Sequence, residues 1–177
     1  MVEQGTHKPL VGSSTLPPGT SLLRSHVTGF YLEDVSVGQR FQSEPYVVTE
    51  EAIINFAREF DPQPFHFDHT AATASVFNGL AASGWHTASI GMRLLMTGPM
   101  QFAGGAIGLG VDELRWPVAV RPGDTLRLDT EILEVRPSKS KPSYGIIRIR
   151  NVATNQNGNT VLSYTANALV RRRSTAT

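Results

Sequence analysis

Ser83-Gly84-Trp85-His86-Thr87-Ala88-Ser89-Ile90-Gly91-Met92-Arg93-Leu94-Leu95-Met96 reads as a single helix. Trp85, Ala88, Ile90, Met92, Leu94 and Leu95 make it apolar nearly all round. A helix of that kind is normally buried. Gly91 lowers its propensity and points to close approach by another backbone. Downstream, residues 109–120, 125–135, 144–153 and 161–170 have strand composition. Pro122-Gly123-Asp124 and Asn157-Gly158 supply turns among them. A buried helix followed by a run of strands predicts an α+β fold, with an antiparallel sheet wrapped around the central apolar helix.

Upstream, residues 40–48 carry Phe41, Tyr46, Val47 and Val48 and predict a strand, which Pro45 assigns to an edge. Thr49 is a good N-cap, and Glu50 and Glu51 suit the first turn of a helix. Ile53, Ile54, Phe56, Ala57 and Phe60 follow at helical spacing. Pro62 stops that helix by pushing the preceding residue, Asp61, out of the α region. A short helix is expected at 70–76, and Asn78-Gly79 marks a turn. Residues 1–29, rich in Gly, Pro, Ser and Thr, read as an extended arm. One domain spans 30–173, and 174–177 form a tail.

Composition narrows the function classes. Sixteen Lys plus Arg against 15 Asp plus Glu give a net charge of +1, which argues against a nucleic-acid binder. The run Arg171-Arg172-Arg173 reads as a solvated tail. The chain has no cysteine, which excludes disulfides, thiolate catalysis and thiolate zinc sites and fits the cytoplasm. No apolar run approaches the ~20 residues of a membrane span. The first residues lack a basic region followed by an apolar stretch, so no secretory signal is expected.

The chemistry concentrates in Asp61-Pro62-Gln63-Pro64-Phe65-His66. Two prolines stiffen the piece and forbid helix. Fully extended, it would hold the carboxylate and imidazole roughly 16 Å apart, so joint work on one substrate requires a bend. Taken alone, a helix-ending loop with a solvated Asp and a satisfied His is the better reading of it. Ser83-Gly84 adds a second feature. Amides at a helix start lack internal partners, and Gly admits close approach of a ligand. That arrangement offers an oxyanion site for a thioester carbonyl, or simply an ordinary N-cap.

In this order the parts resemble the MaoC-like dehydratases and R-specific enoyl-CoA hydratases. The resemblance rests on a helix capped by Thr49-Glu50-Glu51, then Asp61-Pro62-Gln63-Pro64-Phe65-His66, a short helix, and Ala81-Ala82-Ser83-Gly84-Trp85-His86. Arg115-Trp116-Pro117-Val118 and Arg121-Pro122-Gly123-Asp124 are similar to that family's first long strand and the turn after it. The resemblance implies a hotdog fold and a hydro-lyase acting on enoyl or 3-hydroxyacyl thioesters, as in fatty acid metabolism. By position it makes Asp61 and His66 the acid/base pair and Gly84 the donor to the thioester oxygen. Ser83, Trp85 and Phe65 are expected to bind substrate. The family often has His-Gly where this chain has Ser83-Gly84. The resemblance further implies acyl-CoA or acyl-carrier substrates, no cofactor, no metal and a homodimer.

Other readings remain open at this point. His66, Asp68, His69 and His86 invite a metal site, although Asp68-His69 also reads as the cap of the next helix. A hotdog thioesterase would want an acid on the central helix, and 84–96 contain no Asp or Glu. A non-catalytic acyl-binding subunit has no need of Asp61, His66 and Gly84 together. No Gly-x-Gly-x-x-Gly fingerprint after a strand suggests a dinucleotide.

Overall fold

A computed structural model describes residues 29–173. Of the arm expected at 1–29, residues 1–28 lie outside the described residues, as does the expected tail at 174–177. In chain order come β1 (Arg40–Gln42), β2 (Tyr46–Val47), α1 (Glu50–Phe60), α2 (His69–Thr73), α3 (Gly84–Thr97), β3 (Ile107–Arg115), β4 (Thr125–Pro137), β5 (Tyr144–Thr154) and β6 (Thr160–Arg171). Single 3-10 turns lie at Leu32–Asp34 and Pro64–His66. The strands form one antiparallel sheet in the order β1-β4-β5-β6-β3, with β2 also on β4.

Strand alternation explains the core. Leu126, Leu128, Thr130 and Ile132 of β4 are buried at every second position. So are Ile147, Ile149, Asn151 and Ala153 of β5. These inward faces meet Ile90, Leu94 and Leu95 of α3 in one core cluster. The sheet therefore wraps a central helix, the hotdog arrangement expected. No helix among the described residues is long and apolar enough to cross a membrane.

Four local expectations are corrected. The single strand at 40–48 is two short strands broken at Ser43-Glu44-Pro45, where Pro45 has no N–H for the ladder. β3 runs Ile107–Arg115 rather than to residue 120, because Pro117 ends pairing just beyond it. The helix α3 is buried on one side only: Trp85, Met92 and Met96 are 61%, 49% and 46% exposed. One curved sheet cannot cover its whole circumference. Finally, Gly91 meets a side chain rather than a backbone, since a Cβ there would lie 2.6 Å from Leu162 Cδ2.

The Arg171-Arg172-Arg173 run is also no free tail over its described length. Arg172 Nε donates to Glu33 Oε1 at 3.0 Å, and an Arg173 nitrogen donates to both Asp34 carboxylate oxygens at 2.6 and 2.7 Å. The run fastens the end of β6 to the first 3-10 turn.

Candidate active site

Three short pieces converge on one cleft. The first begins where α1 ends. Asp61 is its C-cap, with its N–H still bonded to Ala57 O at 2.9 Å, and Pro62 prevents another helical turn. Pro64 then sits at the first position of the 3-10 turn that carries His66, where its missing N–H costs nothing. The turn bends the chain back on itself. His66 Nε2 comes to 3.6 Å from Asp61 Oδ2.

The second piece is the start of α3. Ser83, only 1% exposed, is its N-cap and accepts from Trp85 N at 3.2 Å. The same hydroxyl donates to Asp61 Oδ2 at 2.6 Å. The Gly84 amide, at the first helical position, makes no hydrogen bond among the described residues. The third piece is the segment after β3. Trp116 lies so close over Gly84 that a Cβ there would be 2.9 Å from the indole ring.

Hydrogen bonding sets the ionic forms. Asp61 accepts from Ser83 at Oδ2 and from Gln63 Nε2 at Oδ1, the latter at 2.8 Å. The Ser83 hydroxyl above all holds its carboxyl below the ordinary value of 3.8; burial opposes this, and Gln63 and His66 assist. Asp61 is therefore a carboxylate at neutral pH. His66 is buried, and its Nδ1 lies 2.7 Å from Ala81 O. A carbonyl can only accept, so Nδ1 carries the hydrogen. In the neutral ring Nε2 is then the bare nitrogen, and it faces Asp61.

The cleft has a volume of about 400 Å³. It brings together all six residues singled out in the sequence: Asp61, Phe65, His66, Ser83, Gly84 and Trp85. Phe65 meets the His66 ring edge-on with centroids 4.6 Å apart. Trp85, largely exposed, stands edge-on to Trp116 at 5.5 Å. Sequence reasoning missed Gln63 as a partner of Asp61 and Trp116 as the roof over Gly84. Gln63 lay inside the quoted motif, and its short reach to Asp61 was the available signal. Phe56 does not line this cleft; it stacks on the buried His86 ring at 4.7 Å and 11°. His66 and His69 turn to different partners, His69 to Glu50 at 3.0 Å. Asp68 caps α2 through Ala71 N at 2.7 Å.

Comparison with known proteins agrees with this architecture. The family model for the MaoC like domain matches residues 34–155. The crystal structure of a MaoC-like dehydratase from Rhodospirillum rubrum is 50% identical, covering 82% of this chain and 99% of that one, with a TM-score of 0.78. An uncharacterized protein of Bacillus subtilis is 28% identical over 141 residues, 80% of this chain and 99% of its own length. A mesaconyl-CoA hydratase of Cereibacter sphaeroides is 40% identical over 68 residues, 38% of this chain and 20% of that protein. The chain is thus a member of the MaoC-like domain family.

Proposed function

We propose that this protein is a hydro-lyase that adds water to a trans-2-enoyl thioester, or removes it from the 3-hydroxyacyl thioester. Acyl-CoA in the cytoplasm is the expected substrate. The supporting observation is the 3.6 Å approach of Asp61 Oδ2 to His66 Nε2 in a cleft also lined by Gly84, whose amide has no hydrogen bond among the described residues. The local 40% identity to a mesaconyl-CoA hydratase supports the same class of chemistry.

The gap is too long for a direct hydrogen bond and suits a bridging water. Asp61 as carboxylate and the bare Nε2 of His66 are both acceptors, so each takes one water hydrogen. The water oxygen is left with its lone pairs toward C3 of the enoyl group. As the C3–O bond forms, the π electrons move through C2 onto the thioester oxygen. The Gly84 N–H meets that developing charge, a contribution of typically ~3 kcal/mol. One proton leaves the water for the Asp61–His66 pair, and one returns from the pair to C2. The charge balances without any outside acid. Ser83 and Gln63 hold the carboxylate in place, while Phe65, Trp85 and Trp116 border the thioester and the first carbons of the chain.

A second copy of the chain is the expected partner. Met92 and Met96 on α3 and Val111 on β3, 49%, 46% and 52% exposed, border one apolar hollow. Closed two-fold dimers are the commonest way to cover such a face.

The deciding experiment follows enoyl-CoA absorbance with the wild type, Asp61→Asn and His66→Gln. Each substitution is expected to lower kcat by about 100- to 10,000-fold. Near-native turnover in either variant overturns the assignment.

A further inference from the structure

We propose that Arg121 is a positioning residue for His66: it clamps the 77–80 turn so that the next carbonyl, Ala81 O, fixes the tautomer of the imidazole. The inference rests on the Asp61–His66 reading for its kinetic consequence but not for its structural one. The Arg121 guanidinium donates to Gly79 O at 2.7 Å, to Leu80 O at 3.0 Å and to Phe77 O. Three carbonyls of one turn thus converge on one cation. Asn78, with φ 51°, and Gly79, with φ 139°, shape the turn, positive φ being open to Gly and tolerated by Asn.

The clamp sits one peptide away from the imidazole. Leu80 O is held by Arg121, and Ala81 O accepts from His66 Nδ1 at 2.7 Å. Ala82 N then donates to Val120 O at 2.9 Å, tying the segment back to the residue before Arg121. Arg121 is itself fixed, since its N–H donates to Asp124 Oδ2 at 2.8 Å in the Pro122-Gly123 turn. Phe77, whose carbonyl is also held, packs against Phe65 at 5.3 Å and His66 at 5.9 Å. The guanidinium therefore governs both the acceptor behind the ring and an aromatic wall beside it. A guanidinium holds its N–H donors in one rigid fork, whereas an ammonium's three donors turn freely on a flexible stem.

Without the clamp, the turn carbonyls seek water and Ala81 O moves away from Nδ1. His66 then loses the bond that selects its Nδ1–H form. An Nε2–H imidazole would face the Asp61 carboxylate as a donor and close the gap meant for water.

The test is nitrogen NMR of uniformly ¹⁵N-labelled full-length protein without substrate, comparing wild type with Arg121→Met, His66 being assigned by its absence in His66→Gln. The wild type is expected to show the Nδ1–H pattern for His66. Arg121→Met is expected to show an exchanging mixture with Nε2–H, while His86 keeps its signals. In parallel, kcat should fall about 10- to 100-fold with KM nearly constant, as for a misplaced catalytic group. If Arg121→Met does not fold, Arg121→Gln is read by the same criteria. A folded variant with the wild-type His66 pattern overturns the proposal. Should the wild type hydrate no enoyl thioester, the NMR result still decides the clamp and the functional reading alone fails.

Discussion

Ser83 Oγ stands between two partners, donating to Asp61 Oδ2 at 2.6 Å and accepting from Trp85 N at 3.2 Å. One hydroxyl thus caps the central helix and holds the carboxylate at the end of α1. Ser83→Ala should lower stability by about 1 kcal/mol through the lost cap. It should also release the Asp61 carboxyl upward toward its ordinary value of 3.8. A depressed carboxyl adds stability above its unfolded value and loses it as pH falls through the folded one. The gap between wild type and variant should therefore be widest near neutrality and narrow in acid. The acid limb of kcat/KM should move to higher pH. Urea titrations and rate profiles over the same pH range check both; an unmoved limb means Ser83 does not set the Asp61 carboxyl.

Gly84 has no room for a side chain. A Cβ would stand 2.9 Å from two ring carbons of Trp116, so either the indole or the helix start must shift. Gly84→Ala should cost about 1–3 kcal/mol of stability by overpacking. A displaced amide should lower kcat about 100-fold. Removing the roof tests the cause: in a Trp116→Ala background the stability penalty of Gly84→Ala should shrink. An equal penalty in both backgrounds would show that the ring is not the obstacle.

These two contacts show what the sequence could and could not reveal. The end of α1 at Asp61 was legible because it is local, a proline following it, whereas the 3-10 turn that brings His66 back was required by the reading and not read from the residues. The Ser83 cap and the turns at Gly123 and Gly158 were legible for the same reason, both glycines having positive φ. Trp116 over Gly84, Arg121 on the 77–80 carbonyls and Arg173 on Asp34 were not. Each joins residues far apart in the chain, and no periodicity encodes which side chain crosses the cleft. The break at Ser43-Glu44-Pro45 was hidden by the apolar residues on either side of it. The exposed stripe of α3 was hidden too, since apolar content looks the same whether its own sheet or another surface covers it.

His86 is buried between α1 and α3, stacked on Phe56, and its Nδ1 has no partner among the described residues. Burial holds its pKa below the ordinary 6.5. The unfolded chain therefore binds the proton first as pH falls. Stability is fully present above 6.5 and declines below it, until the folded pKa is reached. One such group contributes a slope of at most about 1.4 kcal/mol per pH unit. His86→Phe keeps a ring against Phe56 and removes the titration. Its urea midpoint should fall less than that of the wild type between pH ~7.5 and ~5.5. Parallel curves for the two proteins would assign the acid sensitivity elsewhere.

β3 bonds only to β6 among the described residues, and its other edge faces outward. Ile107, Leu109 and Val111 on it are 57%, 53% and 52% exposed. An uncovered edge of that length invites pairing with another strand. The wild type should sediment as a dimer or larger assembly. Met92→Glu combined with Val111→Glu places two charges in the apolar hollow that both residues border and should release the monomer. The site should weaken with it, because β3 leads directly into Trp116, the roof over Gly84. A loss of kcat that tracks dissociation, and recovers as protein concentration rises, is the expected result for the Val111→Glu single variant. A monomeric wild type with full activity would mean that the exposed face serves something other than self-association.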